Sequence, residues 1–418
     1  MTQPDTRPLL LVSGGPATTP LWPLLAEKYD LVFLYPQAAQ QALSGGLRAG
    51  ALQSVMDGDL QEHIANVSVK LAARVVGAMP TVGIQVAAAY GDSAPAALNG
   101  HLGDWFPGFA HHLVSASVAI VAQLERLASS DRRIAGCVTH EDVSLDTRTM
   151  VNWCNAHNVP TIHVPHAPCH LLPGVQDIHR QTRAKWIAAS GPAVAEFYAE
   201  SGHDQAFITI TGGPQYDQMY VDRPGHDEAR RVMGIEHAGP VICYQSTWGQ
   251  TTSLRSDFEA EFTRGWDAVL AAAQRLGAYV MVKVHWHDQR PETLDRYEAS
   301  LKAAGVPGLV TRDHFLYVLA AADVLVAQGP SNVCLEAAMY GVPSAYIQTE
   351  GFDFRTALPY RGTDETIGDA IGMALNSTGH PAWDEFVSQY NSAHPDGGAA
   401  ERVMALVEQV CETERVHP

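Results

Sequence analysis

The chain has 418 residues, of which 46% are hydrophobic and only 17% are charged, so two packed α/β domains with little disorder are expected. Its 27 basic and 45 acidic residues give a formal net charge of −18, which disfavours a nonspecific nucleic-acid binder and nucleic acid as a partner. The apolar run near the N-terminus is too short for a signal peptide or an integral membrane segment, and none of the six cysteines forms a CxxC pair. A reduced, cytoplasmic protein is therefore predicted.

In the first half, short apolar strands alternate with helical segments, which is typical of a parallel α/β layer. The pattern predicts strands at 9–13, 31–35, 134–139 and 161–164, and helices at 21–28, 59–78, 108–128 and 147–157. The stretch 79–106 mixes glycine, proline and small residues, and we assign to it a strand near 82–88 followed by a long loop. These elements form a predicted N-terminal, Rossmann-like acceptor domain of residues 1–183.

The same alternation continues after residue 184. Predicted strands lie at 186–189, 206–210, 241–244, 279–284, 309–311, 324–327 and 344–347, and predicted helices at 192–200, 257–276, 291–304, 315–321 and 331–340. Residues 184–380 form a predicted nucleotide-donor domain, and the helices within 381–418 are predicted to pack back on the N-terminal domain. The predicted fold class is α/β, with two Rossmann-like domains facing a central cleft and a helical C-terminal tail.

The most informative motif spans residues 323–343. It predicts a buried strand, Gln328 and a Gly-Pro turn, a helix that begins at Ser331-Asn332, and a helix end at Gly341. The amide groups at such a helix start bind phosphate, and the Glu336 carboxylate, further along the helix, would hold ribose hydroxyls. The alternative is that Ser331 and Asn332 only cap the helix and that Glu336 occupies its polar face.

Two further segments of the second half carry candidate ligand-binding residues. Lys283, His285 and His287 alternate with apolar residues, so they share one face of a strand end, which suits a diphosphate. A His-x-His pair also suits a metal, but no third ligand is evident nearby, and a solvated strand end is the remaining alternative. Thr247 and Trp248 follow another strand, and the Thr247 hydroxyl would bind phosphate. Trp248 would cover a base or sugar, or alternatively close the hinge between the two predicted domains.

The first half offers candidate catalytic groups after three strands. His166 follows one strand, and an imidazole with a pKa near working pH suits a general base, although a loop histidine without chemistry fits equally well. Glu141 and Asp142 follow another strand and are rival bases or acceptor ligands, or else helix caps. Gly14 and Gly15 follow the first strand, where a lone glycine pair is a weak signal because the full GxGxxG pattern is absent.

The motif at 323–343 resembles the donor-nucleotide motif of GT-B glycosyltransferases, in which a glutamate stands seven residues before the proline of a Gly-x-Pro, as Glu336 does before Pro343. Lys283-Val284-His285 resembles the Lys-x-His element of the CDP-glycerol glycerophosphotransferase and capsule-polymerase branch. In that branch a histidine stands in a Trp-His-Gly context where this chain has Pro-His166-Ala. UDP-N-acetylglucosamine 2-epimerases share the same scaffold.

The resemblance implies metal-independent glycosyl transfer from a nucleotide-diphosphate sugar, expected to be UDP-linked, with no cofactor. The acceptor is a hydroxyl of a glycan, lipid, natural product or modified nucleic-acid base. The alternatives are epimerisation of a nucleotide sugar and polyol-phosphate transfer from a CDP-alcohol, and a homodimer is left open. By this resemblance, Asp313 and His314 would line the base pocket, and Lys283 and His285 would neutralise the leaving phosphate. Gly14 and Gly15 would contact the acceptor or the transferred sugar.

Overall fold

The computed structural model describes most of the chain, and side-chain positions within 78–109 are outside this description. The described residues are 7–90, 93–166, 181–221, 223–246, 265–285, 291–312, 315–348, 358–377, 379–391 and 396–413. Five predicted site residues lie outside them, namely Thr247, Trp248, His287, Asp313 and His314. Their roles therefore stay predictions.

The first sheet has seven strands in the order β3-β2-β1-β4-β5-β6-β7. They are β1 (Leu9–Val12), β2 (Asp30–Phe33), β3 (Ala49–Ala51), β4 (Ile134–Thr139), β5 (Thr161–His163), β6 (Trp186–Ala189) and β7 (Ile208–Ile210). The central strands are parallel, with Val12 opposite Val138 and Thr139 opposite His163. Because parallel strands end at the same edge, the residues that follow β1, β4 and β5 are brought side by side.

The helices of the first half differ from the prediction in two places. They are α1 (Trp22–Lys28), α2 (Pro36–Ser44), α3 (Gly58–Tyr90), α4 (Ser93–Ala128) and α5 (Leu145–Ala156). Helix α2 was not predicted, and the strand and long loop predicted within 79–106 fall largely in two long helices. The predicted strand near 82–88 is wrong, because that stretch continues the 33-residue helix α3. Helices α3 and α4 pack against each other along their length, and this tertiary packing overrides the unfavourable helix propensity of the glycines and prolines.

The second sheet has six strands in the order β10-β9-β8-β11-β12-β13, and its pairings are parallel. The strands are β8 (Val241–Gln245), β9 (Tyr279–Lys283), β10 (Gly308–Thr311), β11 (Val324–Ala327), β12 (Ser344–Ile347) and β13 (Arg361–Gly362). The remaining helices are α6 (Pro192–Glu200), α7 (Gln218–Val221), α8 (His226–Val232), α9 (Trp266–Leu276), α10 (Pro291–Ala304), α11 (Phe315–Ala321), α12 (Asn332–Tyr340), α13 (Ile367–Leu375), α14 (Pro381–Tyr390) and α15 (Ala399–Thr413).

Strands β6 and β7 extend the first sheet, whereas the sequence analysis grouped them with the second domain. Their attachment is set by register, since Ile162 and His163 of β5 pair with Trp186 and Ile187. Contacts divide the chain into two compact units. The first unit contains the described residues of 1–166, 181–187 and 404–418, and the second those of 188–403.

The end of the chain belongs to the core of the first unit. Val407, Val410 and Cys411 of α15 are fully or almost fully buried. A Cβ atom added at Gly136, in β4, would lie 2.7 Å from the Cys411 sulfur, so only glycine fits under this helix. Glu408, also on α15, forms an ion pair with Lys28 of α1. The residues of α15 from 404 onwards therefore complete the packing around β4.

In the part of the chain that the structure describes, no helix combines the length and apolar character needed to cross a bilayer.

Candidate functional site

In the second unit, the β11–α12 connection has the predicted strand, turn and helix. Strand β11 is wholly buried, and Gln328, which follows it, is 4% exposed. Helix α12 begins at Asn332 after an extended Ser331, whose side chain makes no capping hydrogen bond. The helix ends at Gly341, which takes the left-handed φ of 81° that favours glycine. The Ser331 hydroxyl therefore does not serve as the helix cap that the alternative interpretation required.

Strand β9 delivers Lys283 and His285 to the same sheet edge, where Ser246 fixes the backbone. The Ser246 amide donates to the Lys283 carbonyl at 3.1 Å, and the His285 amide donates to Ser246 Oγ at 3.1 Å. Lys283 is 7% exposed, and its Nζ donates to the Val284 carbonyl at 3.0 Å. Since β9, β8 and β11 are neighbours, the ends of these strands bring Lys283, His285 and Gln328 to one edge.

A cluster of buried aromatic residues fixes the Gln328 side chain. Its amide nitrogen donates to Tyr244 Oη at 2.6 Å, and Tyr244 is fully buried. The Tyr244 ring centroid lies 4.8 Å from that of Trp266 and 6.1 Å from that of Tyr297. The amide of Gln328 is thus fixed by the core of the second unit, which makes this residue a rigid part of the strand edge.

Glu336 and Lys283 interact electrostatically across this edge. Burial raises the pKa of the Glu336 carboxyl to about 8, and the positive charge of Lys283 lowers it only in part. The Glu336 side chain is half-buried, so its carboxyl keeps its proton to higher pH than a carboxyl in water. A half-buried carboxyl with a raised pKa, close to a lysine at the end of a strand, is more typical of a binding site than of a polar helix face.

In the first unit, the glycine pair after β1 packs against a histidine that follows β4. Gly14 and Gly15 have φ values of 83° and 108°. A Cβ atom at Gly15 would lie 2.5 Å from a ring carbon of His140, and one at Gly14 would lie 2.9 Å from the Cβ of Ala38. Both positions therefore require glycine, and Gly15 does so because the imidazole of His140 lies directly against its Cα.

His140 and His166 form a contacting pair at the ends of β4 and β5. Their ring centroids are 5.4 Å apart with an interplanar angle of 69°. Burial, and then the proximity of His166, lower the pKa of His140 to about 4. Burial likewise lowers the pKa of His166, while the His140 carbonyl and the Glu141 carboxylate oppose this shift. Both imidazoles are therefore predominantly neutral near pH 7.

Glu141 stabilises the start of helix α5. Its carboxylate accepts hydrogen bonds from the amides of Val143 and Ser144 at 2.9 and 3.0 Å. It also accepts from the hydroxyls of Ser144 and Thr147 at 2.9 and 3.2 Å. Burial would raise the pKa of Glu141, but the hydrogen bonds from Ser144 and Val143, together with nearby His140, lower it on balance. The carboxylate is thus ionised and engaged at the helix start.

Asp142 is fully buried and joins two segments of the first unit. Its carboxylate accepts hydrogen bonds from the Thr182 hydroxyl at 2.9 Å, from the Ala184 amide at 3.2 Å and from the Arg183 amide. Arg148 Nε donates to the Asp142 carbonyl at 2.6 Å. These contacts fix the chain before β6 to the end of β4.

Ser13, His140 and Tyr244 are not among the site residues predicted from the sequence. His140 stands between two predicted strand-end residues and carried the same positional signal as Glu141, so it could have been included. Ser13, Tyr244 and Ser246 act through contacts with residues distant in sequence, which no local pattern reveals. Among the described residues, no group of three or more His, Cys, Asp or Glu side chains is arranged to hold a metal ion.

No family model matches this chain, and no curated protein sequence matches it either. Solved structures do. The UDP-N-acetylglucosamine 2-epimerase of Neisseria meningitidis, bound to UDP-GlcNAc, aligns with a TM-score of 0.57 at 12% identity, covering 96% of this chain and 99% of that one. The epimerase of Methanocaldococcus jannaschii, in complex with UDP-GlcNAc and UDP, aligns with a TM-score of 0.58 at 10% identity, covering 96% and 99%.

A variant of the wall teichoic acid polymerase TagF aligns with a TM-score of 0.54 at 11% identity, covering 99% of this chain and 91% of that one. The chain has the GT-B fold. The GT-B fold predicted from the sequence, with its two parallel α/β sheets, is thereby confirmed. In this GT-B protein, the β11–α12 connection belongs to the second sheet, and the His140–His166 pair belongs to the first.

Proposed function

We propose that this GT-B protein is a nucleotide-sugar-dependent glycosyltransferase, which moves a sugar from a nucleotide-diphosphate sugar to an acceptor hydroxyl. The observation that carries the proposal is the geometry of the second sheet, whose neighbouring strands bring Lys283 and Gln328 to the edge at which the β11–α12 turn starts a helix. The structural neighbours from Neisseria meningitidis and Methanocaldococcus jannaschii, which bind UDP-GlcNAc, support a nucleotide-sugar ligand.

The proposal assigns the donor to the second unit. The first-turn amides of α12, at Ser331 and Asn332, bind the diphosphate, and the dipole of the helix favours the negative charge. Lys283 neutralises the charge that develops on the leaving phosphate, as His285 also does if protonated. Glu336 binds the ribose hydroxyls, donating a hydrogen bond when protonated and accepting one when ionised.

The proposal assigns acceptor activation to the first unit. Glu141 and Asp142 are engaged in the structural hydrogen bonds described above, which leaves an imidazole as the better general base. His166 removes the proton from the acceptor hydroxyl as the acceptor oxygen bonds to the anomeric carbon of the sugar. The bond from that carbon to the diphosphate oxygen breaks, and the nucleoside diphosphate leaves with the electron pair.

Epimerisation of a nucleotide sugar is the second candidate. It is favoured by the names of the structural neighbours, several of which are UDP-N-acetylglucosamine 2-epimerases. An epimerase converts the nucleotide sugar without an acceptor, whereas a glycosyltransferase passes the sugar to an acceptor or, slowly, to water. The two candidates therefore differ in the products that form from the donor alone.

A thermal-shift panel of UDP, GDP, CDP, ADP and dTDP, each with and without Mg²⁺, tests the donor site first. A nucleotide at 100 times its Kd stabilises the fold by about 2.7 kcal/mol, and we expect the largest shift with UDP. The corresponding sugar nucleotide is then incubated with the protein and followed by NMR. Release of nucleoside diphosphate supports glycosyl transfer, an epimeric sugar nucleotide supports the second candidate, and CMP from a CDP-alcohol indicates polyol-phosphate transfer. No shift with any nucleotide contradicts the donor assignment.

A further inference from the structure

The hydroxyl of Ser13 contacts the first histidine of the His140–His166 pair in the first unit. Ser13 is fully buried at the end of β1, and its amide donates to the Val138 carbonyl of β4 at 3.1 Å. Its Oγ lies 3.2 Å from the donating amide of His140 and 3.0 Å from Nδ1 of the same residue. One hydroxyl thus contacts both the backbone and the side chain of His140.

The Ser13 hydroxyl has a third neighbour, the Gly14 carbonyl, at 3.1 Å. A hydroxyl supplies one proton and two lone pairs. If its proton goes to the Gly14 carbonyl, its lone pairs accept from the amide and Nδ1–H of His140, and every one of these groups is satisfied. The backbone and the ring of His140 are then both fixed by the end of β1, and the absence of a Cβ at Gly15 provides the space for the ring.

The carbonyl of His140 in turn meets His166, whose Nδ1 lies 3.4 Å from it. A carbonyl oxygen only accepts hydrogen bonds, so this contact is a hydrogen bond only when the proton of His166 is on Nδ1, which favours that tautomer. In the neutral ring, Nε2 then carries the lone pair. That is the tautomer in which Nε2 can accept a proton.

We propose that Ser13 and His140 are positioning residues that hold His166 in the Nδ1–H tautomer, so that its Nε2 is the atom that accepts the proton of the acceptor hydroxyl. The proposal rests on the glycosyl-transfer function proposed above for its chemical step, but the tautomer itself does not depend on any substrate. Ser13 fixes His140, the carbonyl of His140 fixes the ring of His166, and the edge-to-face contact of the two rings limits rotation of His166.

The charged and titratable groups that face the pair are few among the described residues. His140 faces His166 and the carboxylate of Glu141, and His166 faces His140 and the same carboxylate. Glu141 favours the protonated form of both rings, and the burial of both rings favours the neutral form. We therefore expect the ring of His166 to be neutral over the working pH range, so that its tautomer can be observed there.

The test is ¹⁵N NMR of the full-length protein labelled in its histidine rings, with the His166 signals assigned from the spectrum of His166→Gln. The expected result for the native protein is the Nδ1–H tautomer at His166. In Ser13→Ala, we expect a mixture of tautomers at His166 and a change in its titration. Ser13→Thr, which keeps a hydroxyl, restores the native signals. A native His166 with its proton on Nε2 overturns the proposal, even if Ser13→Ala does not fold.

Ser190→Ala is a matched control, because the buried Ser190 hydroxyl also bonds to a backbone carbonyl, that of Tyr390, at 2.8 Å in the second unit. It loses a comparable hydrogen bond, and the His166 signals should not change. A folded Ser13→Ala protein that keeps the native tautomer and titration of His166 also overturns the proposal.

A kinetic readout separates this proposal from the proposed function. With the sugar nucleotide that the panel identifies, Ser13→Ala should lower the rate of nucleoside diphosphate release by up to about 10²-fold, the scale for a misplaced catalytic group. The KM for the donor should not change, because the donor residues belong to the second unit. If the native protein binds no nucleotide, the proposed function fails while the NMR result still decides the tautomer.

Discussion

The carboxylate of Asp142 accepts a hydrogen bond from Thr182 Oγ1 at 2.9 Å, and both groups are buried within the first unit. This bond and the two neighbouring amide bonds hold the segment before β6, which identifies Asp142 as a structural anchor. Asp142→Asn replaces one acceptor oxygen with a donor facing amide protons, so the free energy of unfolding should fall by about 1–3 kcal/mol. Denaturant unfolding measures it, with the exposed Asp131→Asn as control. Full stability with reduced turnover would return Asp142 to a catalytic role.

His166→Ala should lower turnover by about 10²–10⁴-fold, because it removes the proposed general base. Folding and nucleotide binding should remain close to native, since no donor residue is altered. The rate of nucleoside diphosphate release, measured with the donor identified by the panel, checks this. His112, which is exposed on α4, supplies a control histidine for His112→Ala. Near-normal turnover in His166→Ala would exclude it as the base.

Glu141→Gln should move the acid limb of the pH–rate profile to lower pH. The negative charge of Glu141 raises the pKa of His140 and of His166, so its removal lowers both values and leaves the rings neutral further into acid. Glutamine retains an acceptor oxygen for the amides at the start of α5. The profile is measured from pH 4 to 9, with ring titration by NMR beside it. A shift to higher pH contradicts the electrostatic assignment.

The raised pKa of the half-buried Glu336 predicts an unusual dependence of stability on pH. Its pKa is about 8 in the folded protein and lies near the usual 4.5 in the unfolded chain. The folded state therefore binds more protons between these values, and the stability that Glu336 contributes at low pH is lost as the pH rises through about 8. Glu336→Gln lacks this loss, so its melting temperature relative to the native protein should rise between pH 5 and 9. A constant difference would show that Glu336 is ionised throughout.

Glu336→Ala should weaken binding of the nucleotide by about 1–3 kcal/mol, the scale of a lost hydrogen bond to a charged or buried group. Calorimetric titration with UDP, or with the nucleotide that gives the largest thermal shift, measures this. Glu298→Ala, at an exposed position in the second half of α10, serves as the control. Unchanged affinity in Glu336→Ala would remove Glu336 from the donor site.

The donor motif could be predicted because its signal is contiguous. Strand β11, the turn and helix α12 occupy adjacent residues, and the apolar period, the Gly-Pro turn and Gly341 each mark a boundary locally. The position of Lys283 at the same edge follows from strand order alone. The contacts of Ser246 with Lys283 and His285 could not be predicted, because they cross between two strands.

The first unit was less predictable because its decisive contacts are distant in sequence. Glu141 and Asp142 are residue types that often act in catalysis, yet their hydrogen-bond partners give them structural roles. Those partners are not evident from the local sequence, since Thr182 stands 40 residues from Asp142. Helices α3 and α4 were predicted only over 59–78 and 108–128. Their remaining turns were missed because the two helices stabilise each other, which local propensity does not reveal. The placement of β6 and β7 depends on pairing with β5, which apolar patterning does not specify.

The burial of α15 under Gly136 determines the order in which the protein can be completed on the ribosome. Residues 404–413 follow the second unit in the chain, but they belong to the unit that contains the described residues of 1–166. The second unit, by contrast, needs no residue beyond Val403, so it can close before residues 404–413 have emerged. The N-terminal sheet, although it emerges earlier, must wait for α15 to cover β4, so the two units are completed in the reverse of their order of emergence.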